Sequence, residues 1–344
     1  MQLLKKYIGL ILLTGSFVLG QMSSDSNISI SALGDLSISS QDTAFRSHGL
    51  EIVIMGKITP KIMVMAYIAN HAGGEGAIAK EYYANFSNPS KLISNYKIGY
   101  FRPNFGIINK QHEHTYNFMN TPKSISSLFG YHGWASLGIS TQTQLPLKWD
   151  NYINFSILQN SFGENISSSL HNHNQAVTVI DTINGFSYSS RFNQSISINN
   201  NAKISLGINY LNGRDKESKS IDLMLKSNTN KYQYYLIQSE YYLSRISAKN
   251  HDIAFHPDEE LVSAYVLAGR QFNQHYHFGF IFDYQSYSLK DTQSNTFGFY
   301  GAIAPFDDSL VFRIKLMNDP DMQNQNYFTL SAVWSLGPHK PQRY

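Results

Sequence analysis

The sequence predicts an all-β protein, a transmembrane antiparallel β-barrel of about sixteen strands with long external loops. Charged residues make up only 15% of the chain and aromatic residues 14%, with 23 Tyr and 21 Phe, whereas a soluble domain carries about 25% charged residues. Segments of about ten residues alternate between apolar and polar side chains, as strands do that face lipid on one side and water on the other. No run of 18 apolar residues follows residue 20, which excludes a helical membrane protein.

The first twenty residues have the composition of a secretory signal peptide. Lys5 and Lys6 precede an apolar core over residues 7–19, and Gly20 offers a small residue at the cleavage point. The core is too short to cross about 30 Å of hydrocarbon. We expect residues 1–20 to be removed and residues 21–344 to form a single outer-membrane β-barrel domain. The predicted location is therefore the bacterial outer membrane.

Cysteine content and charge exclude several classes of protein. The chain has no Cys, which excludes a lipoprotein anchor, a disulfide framework and a Cys-based metal site. Without Lys5 and Lys6 the formal net charge falls from +3 to +1. A near-neutral chain gives no basis for a nucleic-acid partner.

Alternation is clearest over residues 275–285, where one face is an aromatic stripe predicted to lie against lipid. The stripe consists of Tyr276, Phe278, Phe280, Phe282 and Tyr284. The opposite face is polar apart from Ile281. Similar patterns lie over residues 203–210, 310–316 and 327–336, whereas residues 62–68 and 261–270 are apolar on both faces and have no predicted orientation.

Sixteen segments are predicted as strands, an even number, as single-chain bacterial barrels have. They are residues 27–40, 50–59, 62–70, 78–87, 91–102, 133–144, 150–161, 182–192, 202–212, 218–227, 231–244, 260–272, 275–286, 292–303, 307–318 and 325–336. The connections alternate between short turns and longer loops, as periplasmic turns and external loops do. A soluble sandwich or barrel would bury its broad aromatic face in a core, but sixteen closed strands enclose too much volume to be filled by wall side chains.

One connection is unusually long and irregular. A strand leading into residue 102 breaks at Pro103, and no periodicity follows until Gly133. Compact domains use such long segments for function. We predict that this connection, between the fifth and sixth strands, lies in the barrel mouth and narrows it, as the loop at that position does in sixteen-stranded general porins.

The same region carries a resemblance to a known family. Its pattern is Gly99-Tyr100-Phe101-Arg102-x-x-Phe105-Gly106-x-x-Asn109-x-x-His112-x-His114, followed by Pro122 and Phe129-Gly130-Tyr131-His132-Gly133. Shorter matches are Asn27–Ser31, Glu81-Tyr82-Tyr83, Glu240-Tyr241-Tyr242 and Gly337-Pro338-His339. On these residues the chain resembles a porin-like family of plugless Gram-negative outer-membrane barrels, often labelled zinc-regulated or receptor-like. It is more distantly similar to the phosphate-selective porins.

The resemblance implies an outer-membrane channel. The chain departs from the family at Tyr100, where a basic residue is usual, and at Tyr131 and His132, where acidic residues are usual. These departures remove the basis for a ligand role shared with the family at residues 131 and 132.

Candidate site residues lie on the long connection and on the predicted inner face. The predicted pore-lining and constriction residues are Lys97, Arg102, Asn109, His112, His114, Arg313 and Lys315. His112, His114 and His132 are candidate ligands of a divalent metal such as zinc, although hydrogen bonds that pin the loop are the favoured role for His112 and His114. No other cofactor is predicted. Further histidines at 171, 173, 251 and 256 fall in predicted external loops, and His275 and His277 face the lumen.

The predicted lumen charges are mixed, with a mild basic excess. They are Lys57, Lys97, Arg191, Lys203, Lys226, Arg313 and Lys315 against Glu51, Glu81, Asp222, Glu240 and Asp283. A ring of one sign would give strong ion selectivity, so this set predicts weak anion preference at most. The same charges can also pair across the wall and brace the barrel.

The predicted function is passive diffusion of small hydrophilic solutes or ions through a monomeric or homotrimeric barrel in outer-membrane lipid. The alternative is a closed outer-membrane barrel that acts as a surface binding or adhesion protein, with metal binding through loop histidines. No enzymatic activity is expected, because no catalytic triad signature, phosphate loop or HExxH motif is present.

Overall fold

The computed structural model describes residues 27–340 except 43, 48, 71–75, 88–92, 117, 160–184, 214–215, 247–258, 290, 307–308 and 323. These residues form one closed barrel of sixteen antiparallel strands, in which each strand pairs with its neighbours in sequence and the last strand pairs with the first. The predicted fold class and strand number are confirmed. The predicted signal peptide lies outside the described residues.

The strands are β1 (Ile28–Ser39), β2 (Leu50–Thr59), β3 (Ile62–Asn70), β4 (Ile78–Ser87), β5 (Ile93–Phe101), β6 (Ser136–Leu145), β7 (Asp150–Leu158), β8 (Ser187–Ser197), β9 (Ala202–Asn212), β10 (Lys216–Asn230), β11 (Gln233–Ile246), β12 (Glu259–Gln271), β13 (Tyr276–Tyr287), β14 (Thr292–Phe306), β15 (Leu310–Asn318) and β16 (Asn326–Leu336). One α-helix, α1 (Lys123–Phe129), and a short 3-10 helix (Glu113–Thr115) lie between β5 and β6. Within the described residues, no helix is long and apolar enough to cross a membrane.

The outside of the barrel is apolar and the inside is mixed. On β13, Phe278 is 50% exposed on the outer face while its neighbour His277 is 3% exposed on the inner face. The predicted faces of residues 275–285 are confirmed, because successive side chains of a strand point to opposite sides. On β15 the outer Phe312 and Ile314 alternate with the buried Arg313 and Lys315 in the same way.

β8 differs most from its predicted ends, and several other strands differ by three residues at one end. The predicted strand 182–192 is Ser187–Ser197, and β10 and β14 each extend at least three residues beyond their predicted last residue. β8 ends where Asn199 accepts hydrogen bonds from the N–H groups of Asn201 and Ala202, both at 2.8 Å. The residues after Phe192 are polar and alternate little, so the sequence pattern placed the end of this strand too early.

The two segments without a predicted orientation carry apolar side chains on the inner face as well. Leu261, Tyr265 and Leu267 of β12 are at most 1% exposed, and Tyr67 of β3 is 6% exposed. Their inner faces are apolar because the segment between β5 and β6 packs against them inside the barrel, as described below.

A bulge in β4 adds one side chain to the inner face. The register pairs Tyr67 with Glu81 and Ile68 with Ala79, so Lys80 is an extra residue. Its Nζ lies 3.2 Å from Glu51 Oε2 on β2, while Glu81 remains inside as well. The bulge therefore brings a lysine and a glutamate together at the edge of the site.

Candidate functional site

The segment of residues 102–135, here called the lumen loop, leaves the end of β5 and folds back into the barrel. Its entry is fixed by Glu81 of β4, whose carboxylate accepts the Arg102 N–H at 3.0 Å and lies 3.5 Å from the Arg102 Nε. Pro103 ends the strand because it has no N–H for the sheet. The Arg102 guanidinium donates to the Gln111 carbonyl. Both ends of this first turn are thus held by one buried arginine.

Asn109 closes the base of the lumen loop. Its Oδ1 accepts the Trp134 N–H at 2.9 Å, and its Nδ2 donates to the carbonyls of Pro103 and Trp134, both at 3.4 Å. Asn109 is 1% exposed. It joins the start of the loop to its end, which makes the segment a compact unit with its own internal packing.

The first turn of the loop is held on the far wall by Glu240 of β11. The carboxylate accepts the N–H groups of Ile107 and Ile108 at 2.8 and 2.9 Å, and the hydroxyls of Tyr242 and Tyr265 at 2.5 and 2.7 Å. An ionised carboxylate offers about four acceptor sites, so these four donors saturate it. Glu240 is 1% exposed.

Gly106 passes the same wall at close range. Its φ of +65° suits glycine, and a side chain there would collide with Glu240 and Tyr242. The Gly106 N–H donates to Asn209 Oδ1 at 3.1 Å, and the Gly106 carbonyl accepts from Arg191, which also forms an ion pair with Asp222 at 2.8 Å. The backbone therefore contacts β8, β9 and β11 at one point.

Asp283 of β13 holds the start of α1. Its carboxylate accepts the N–H groups of Lys123 and Ser124, at 2.5 and 3.1 Å, which are first-turn donors without partners inside a helix. Ser263 of β12 donates to the Ser124 carbonyl at 3.0 Å, and Lys123 Nζ lies 2.6 Å from Asp319 beyond β15. A second part of the loop is thus bonded to a different part of the wall.

Between these polar contacts the loop and wall share an apolar core. The loop contributes the buried side chains of Phe105, Ile108, Tyr116, Phe118, Ile125, Leu128, Phe129 and Trp134, and the wall those of Leu158, Leu211, Tyr242, Leu261, Tyr265, Leu267, Ile281, Tyr300 and Met317. Phe105 and Phe129 both contact the Tyr242 ring, each at 6.0 Å between centroids. Burial of this apolar surface stabilises the docked loop.

Two histidines of the loop, His112 and His114, lie on the opposite side, against β2, β3 and β4. His112 Nε2 is 2.8 Å from Glu81 Oε1, and its ring stacks on Tyr67 at 4.1 Å. His114 Nε2 is 2.8 Å from His339 Nε2, a residue that follows β16. The loop therefore reaches from β4 across to β11 and β13, and also contacts the C-terminal segment.

Burial determines the protonation of these two rings. It lowers the pKa of His112 well below its usual range, and the nearby Arg102 lowers it further. Burial likewise lowers the pKa of His114, with His112 as the next cause. Burial and the nearby Arg102 and Lys80 thus favour the neutral imidazole at His112, while the Glu51 carboxylate acts in the opposite direction there.

The three candidate metal ligands do not share one position. His112 Nδ1 and His114 Nδ1 lie 3.7 and 3.5 Å from Glu51 Oε1, whereas His132 Nδ1 lies 3.3 Å from Glu113 Oε1. In the part of the chain that the structure describes, no group of three or more His, Asp or Glu residues is arranged to hold a metal ion. Zinc binding through His112, His114 and His132 stays a prediction, and the histidines at 171, 173, 251 and 256 lie outside the described residues.

The other predicted site residues also lie on the inner side. Arg313 donates to the His114 carbonyl at 2.7 Å and is 4% exposed, and Lys315 is 7% exposed. Lys97 Nζ lies 4.3 Å from the Tyr83 ring centroid, a cation–π contact. Most of the predicted set, Arg102, Asn109 and His112 above all, therefore takes part in holding or contacting the loop.

Sequence reasoning missed the residues that dock the loop on the far wall. Glu240 and Asp283 were predicted as lumen charges but not as hydrogen-bond acceptors for the loop backbone, and the apolar inner faces of β11 and β12 had no assigned partner. The available signal was an inner carboxylate with an inner tyrosine two residues further on, as Glu240 and Tyr242 are, with the outward Tyr241 between them. Its partner could not be named, because residues 107 and 240 are far apart in sequence.

Ion pairing leaves an excess of lysines on the inner side. Most inner carboxylates have partners, such as Arg191 with Asp222 and Lys80 with Glu51. Among the residues that the structure describes, the inner lysines with no carboxylate within 4.0 Å are Lys57, Lys97, Lys110, Lys226 and Lys315. Within the same described part of the chain, Glu240 and Asp283 also have no basic partner within 4.0 Å and accept hydrogen bonds from neutral groups instead. Five such lysines against two such carboxylates leave the net charge without an ion-pair partner positive.

Lys110 is the unpaired lysine carried by the lumen loop itself. Its side chain is exposed to water. Although it reaches water, its ammonium is partly desolvated by the barrel around it, which disfavours the charged form. This desolvation, and then the positive Arg191, lower its pKa to about 8, while Asp222 and Glu240 act in the opposite direction. Lys110 thus carries most of a positive charge at neutral pH in a position enclosed by the barrel wall.

Comparison with known proteins identifies the fold. No protein-family model and no curated protein sequence matches the chain. Among solved structures it is similar to a loop L8 deletion mutant of OmpT, an outer membrane protein of Vibrio cholerae, with a TM-score of 0.57, 8% identity, and coverage of 90% of this chain and 98% of that one.

Two further solved structures are similar to this chain to the same degree. The outer membrane channel DcaP of Acinetobacter baumannii has a TM-score of 0.56 and 8% identity, over 91% of this chain and 99% of that one. An anion-selective porin from Comamonas acidovorans has a TM-score of 0.56 and 8% identity, over 91% and 100%. The chain therefore has the porin-like barrel fold of bacterial outer-membrane proteins, as its sequence pattern predicted.

Proposed function

We propose that this protein is an outer-membrane channel for passive diffusion of small hydrophilic solutes or ions, and that the lumen loop narrows it. The observation that carries the proposal is the attachment of one loop to opposite sides of a closed barrel, at Glu81 on one side and at Glu240 and Asp283 on the other. A segment held at both sides reduces the cross-section available to a solute.

The outer surface supports the membrane location. Its half-exposed side chains include Ile139, Ile208, Phe278, Phe299 and Phe312, which would be unfavourable in water but suit hydrocarbon. Closure leaves no strand edge against lipid. The similar structures described above include an outer membrane channel and a porin, which agrees with this function.

The unpaired lysines favour anions. The set Lys57, Lys97, Lys110, Lys226 and Lys315 gives the lumen a positive potential, which raises the local concentration of anions. One similar structure is an anion-selective porin. We expect a modest anion preference rather than strong selectivity, because the lysines are spread along the lumen instead of forming one ring.

Planar-bilayer recording tests this function. The purified protein should produce stepwise conductance, and a salt gradient should give a reversal potential of the sign that marks anion preference. Lys97→Gln should reduce that potential, whereas Lys219→Gln should not, since Lys219 lies on the outer face beside Glu217 at 3.1 Å. A folded barrel without conductance steps, or one with cation preference, would contradict the proposal.

The alternative is a closed barrel that binds partners at the cell surface. The observation that favours it is the apolar packing of the lumen loop on the wall from β7 to β15, which fills part of the lumen. A heat-modifiable barrel that gives no current in bilayers, yet binds cells or matrix, would support this alternative. Neither function involves catalysis.

Several finer points belong to the same proposal. We propose that residues 1–20 are a signal peptide, that residues 21–344 are one domain, and that the barrel works as a monomer or homotrimer. The relation to the plugless family and to the phosphate-selective porins rests on the motif over residues 99–114. N-terminal sequencing of the mature protein tests the signal peptide, and light scattering in detergent measures the oligomeric state.

A further inference from the structure

A cavity of about 460 Å³ lies at the short-turn end of the barrel, away from the lumen loop. It is lined by Asn201, Lys226, Asn228, Asn230, Lys231 and Tyr234. These residues come from the turn between β8 and β9, from the end of β10, and from the turn and first residues of β11. In the proposed orientation this is the periplasmic exit.

The lining has one kind of charge. It holds two ammonium groups, three carboxamides and one phenol, and none of the six residues is acidic. Lys203 lies opposite Lys226 in the β9–β10 register, and its own carboxylate partner is Asp150, at 3.3 Å. The positive charge of Lys226 and Lys231 is therefore available to a ligand.

The lysines are held in place by aromatic rings. Lys226 Nζ lies 4.2 Å from the centroid of Tyr234, and Lys231 Nζ lies 5.0 Å from the centroid of Tyr232. A ring face restricts the ammonium without neutralising it. The backbone around them is paired, since the Asn228 N–H donates to the Asn201 carbonyl at 2.7 Å. Two cations and three amides thus face one space at the end of the sheet.

The size and chemistry together define a ligand class. Ligand pockets hold about 300–1,000 Å³, so this cavity accepts a molecule of monosaccharide size. Lysine ammonium groups bind carboxylates, and each asparagine amide both donates to and accepts from hydroxyl groups. A neutral sugar would offer the lysines no charged acceptor, and a simple fatty acid would offer the amides no hydroxyl groups.

We propose that this cavity binds small carboxylates that carry several hydroxyl groups, such as sugar acids, as they leave the barrel. The inference rests on the proposed channel function, which supplies the reason for a solute to be there. The lysines hold the carboxylate, and the amides of Asn201, Asn228 and Asn230 contact the hydroxyls.

Calorimetric titration of the purified protein in detergent tests the site, with gluconate, glucose and propionate as probes. Gluconate should bind saturably and more tightly than either of the others. Lys226→Gln combined with Lys231→Gln should weaken gluconate binding by about tenfold or more, the effect of losing a charge-assisted contact. Lys61→Gln, which removes a lysine from the turn between β2 and β3 on the other side of the barrel, should leave it unchanged.

Asn228→Asp provides a second test should the double variant fail to form a heat-modifiable barrel. It leaves the side-chain size nearly unchanged and places a negative charge in the cavity, which pairs with the lysines and repels the ligand carboxylate, so gluconate binding should weaken far more than glucose binding. The inference is overturned by gluconate binding that survives both changes, by equal affinity for glucose, or by no saturable gluconate binding in the wild-type protein.

The two proposals fail in different measurements. Titration in detergent does not require current through the barrel. Conductance without gluconate binding would overturn this site and leave the channel, whereas gluconate binding without conductance would overturn the channel and leave the site.

Discussion

Glu240 illustrates how one buried carboxylate holds a segment of chain against a barrel wall. Two backbone N–H groups of the loop and two tyrosine hydroxyls of the wall converge on it, all within 2.9 Å. If this group were lost, the buried donors of Ile107 and Ile108 would have no acceptor in its place, and unpaired buried groups are costly. We therefore regard Glu240 as the main polar contact of the loop with the far wall.

Glu240→Gln should lower the free energy of unfolding by about 2 kcal/mol, because hydrogen bonds to a charged acceptor are weakened and one acceptor oxygen becomes a donor. Urea unfolding of the barrel in lipid vesicles measures the change. Glu217→Gln is the matched control, since Glu217 pairs with the largely exposed Lys219 at the barrel surface and such pairs contribute about 0–1 kcal/mol. Equal effects of the two changes would refute the role given to Glu240.

Lys110 predicts a pH dependence of ion selectivity. Its pKa is lowered to about 8 by the surrounding protein and by Arg191, and a lysine is charged below its pKa. Raising the pH from about 7 to about 9 should therefore remove one positive charge from the loop and reduce anion preference. The reversal potential across this pH range measures it. The Lys110→Gln variant should have a smaller anion preference at about pH 7 and a smaller change of reversal potential between about pH 7 and about pH 9. The same pH profile in the variant and the wild-type protein would show that Lys110 does not cause the pH dependence.

At the scale of elements, the lumen loop is organised by its ends and by α1. Asn109 joins its two ends through Trp134, and Asp283 supplies the acceptors for the first turn of α1. The helix has only seven residues, too short to be stable by itself. Its stability comes from Asp283 and from the apolar contacts of Ile125, Leu128 and Phe129.

Asp283→Asn should loosen α1 without unfolding the barrel. We expect a loss of about 1 kcal/mol in the local stability of α1, similar to the loss of a helix cap. Hydrogen exchange of the amides over residues 123–129 should accelerate by about fivefold. Asp150→Asn serves as the control because its partner, Lys203, is half-exposed and distant from α1. Unchanged exchange in the Asp283 variant would show that α1 is held by apolar packing alone.

The sequence indicated where this element lies but not how it is held. The break at Pro103 and the loss of periodicity located the loop, and the motif over residues 99–114 singled out Arg102, Asn109 and His112. Its contacts with Glu240, Asp283 and His339 bring together residues more than 100 positions apart, and no local pattern encodes such pairings. For the same reason the orientation of β12 could not be predicted. Both of its faces are apolar, and the inner one is explained only by the loop that packs against it.

At the scale of the molecule, alternation was sufficient to predict the barrel. Outer residues such as Phe278 and inner residues such as His277 follow strictly from the two-residue period of a strand. Strand ends were less predictable, as in β8, since a polar strand near the rim needs neither an apolar face nor a regular pattern. The charged pairs that brace the wall, such as Arg191 with Asp222, confirm that part of the predicted lumen charge is structural.

Placing a charge on either face of β6 tests which side meets lipid. Ile139 is 52% exposed on the outer face, and Ile139→Arg should destabilise the barrel by about 2–4 kcal/mol if that face lies in hydrocarbon. Gln142→Arg, on the inner face of the same strand beside Asn95 and Asn154, should change stability by less than about 0.5 kcal/mol. Urea unfolding in vesicles measures both, and a tolerated Ile139 variant would contradict a lipid-facing exterior.

If the docked loop narrows the channel, a variant lacking residues 107–131 should conduct more, and single-channel recording of that variant measures the difference. Heat-modifiable migration on a gel establishes that the variant barrel is folded. Because the deleted residues include those bonded to Glu240 and Asp283, their removal should clear the lumen. We expect larger current steps than in the wild-type protein, and steps of equal size would show that the loop does not narrow the channel.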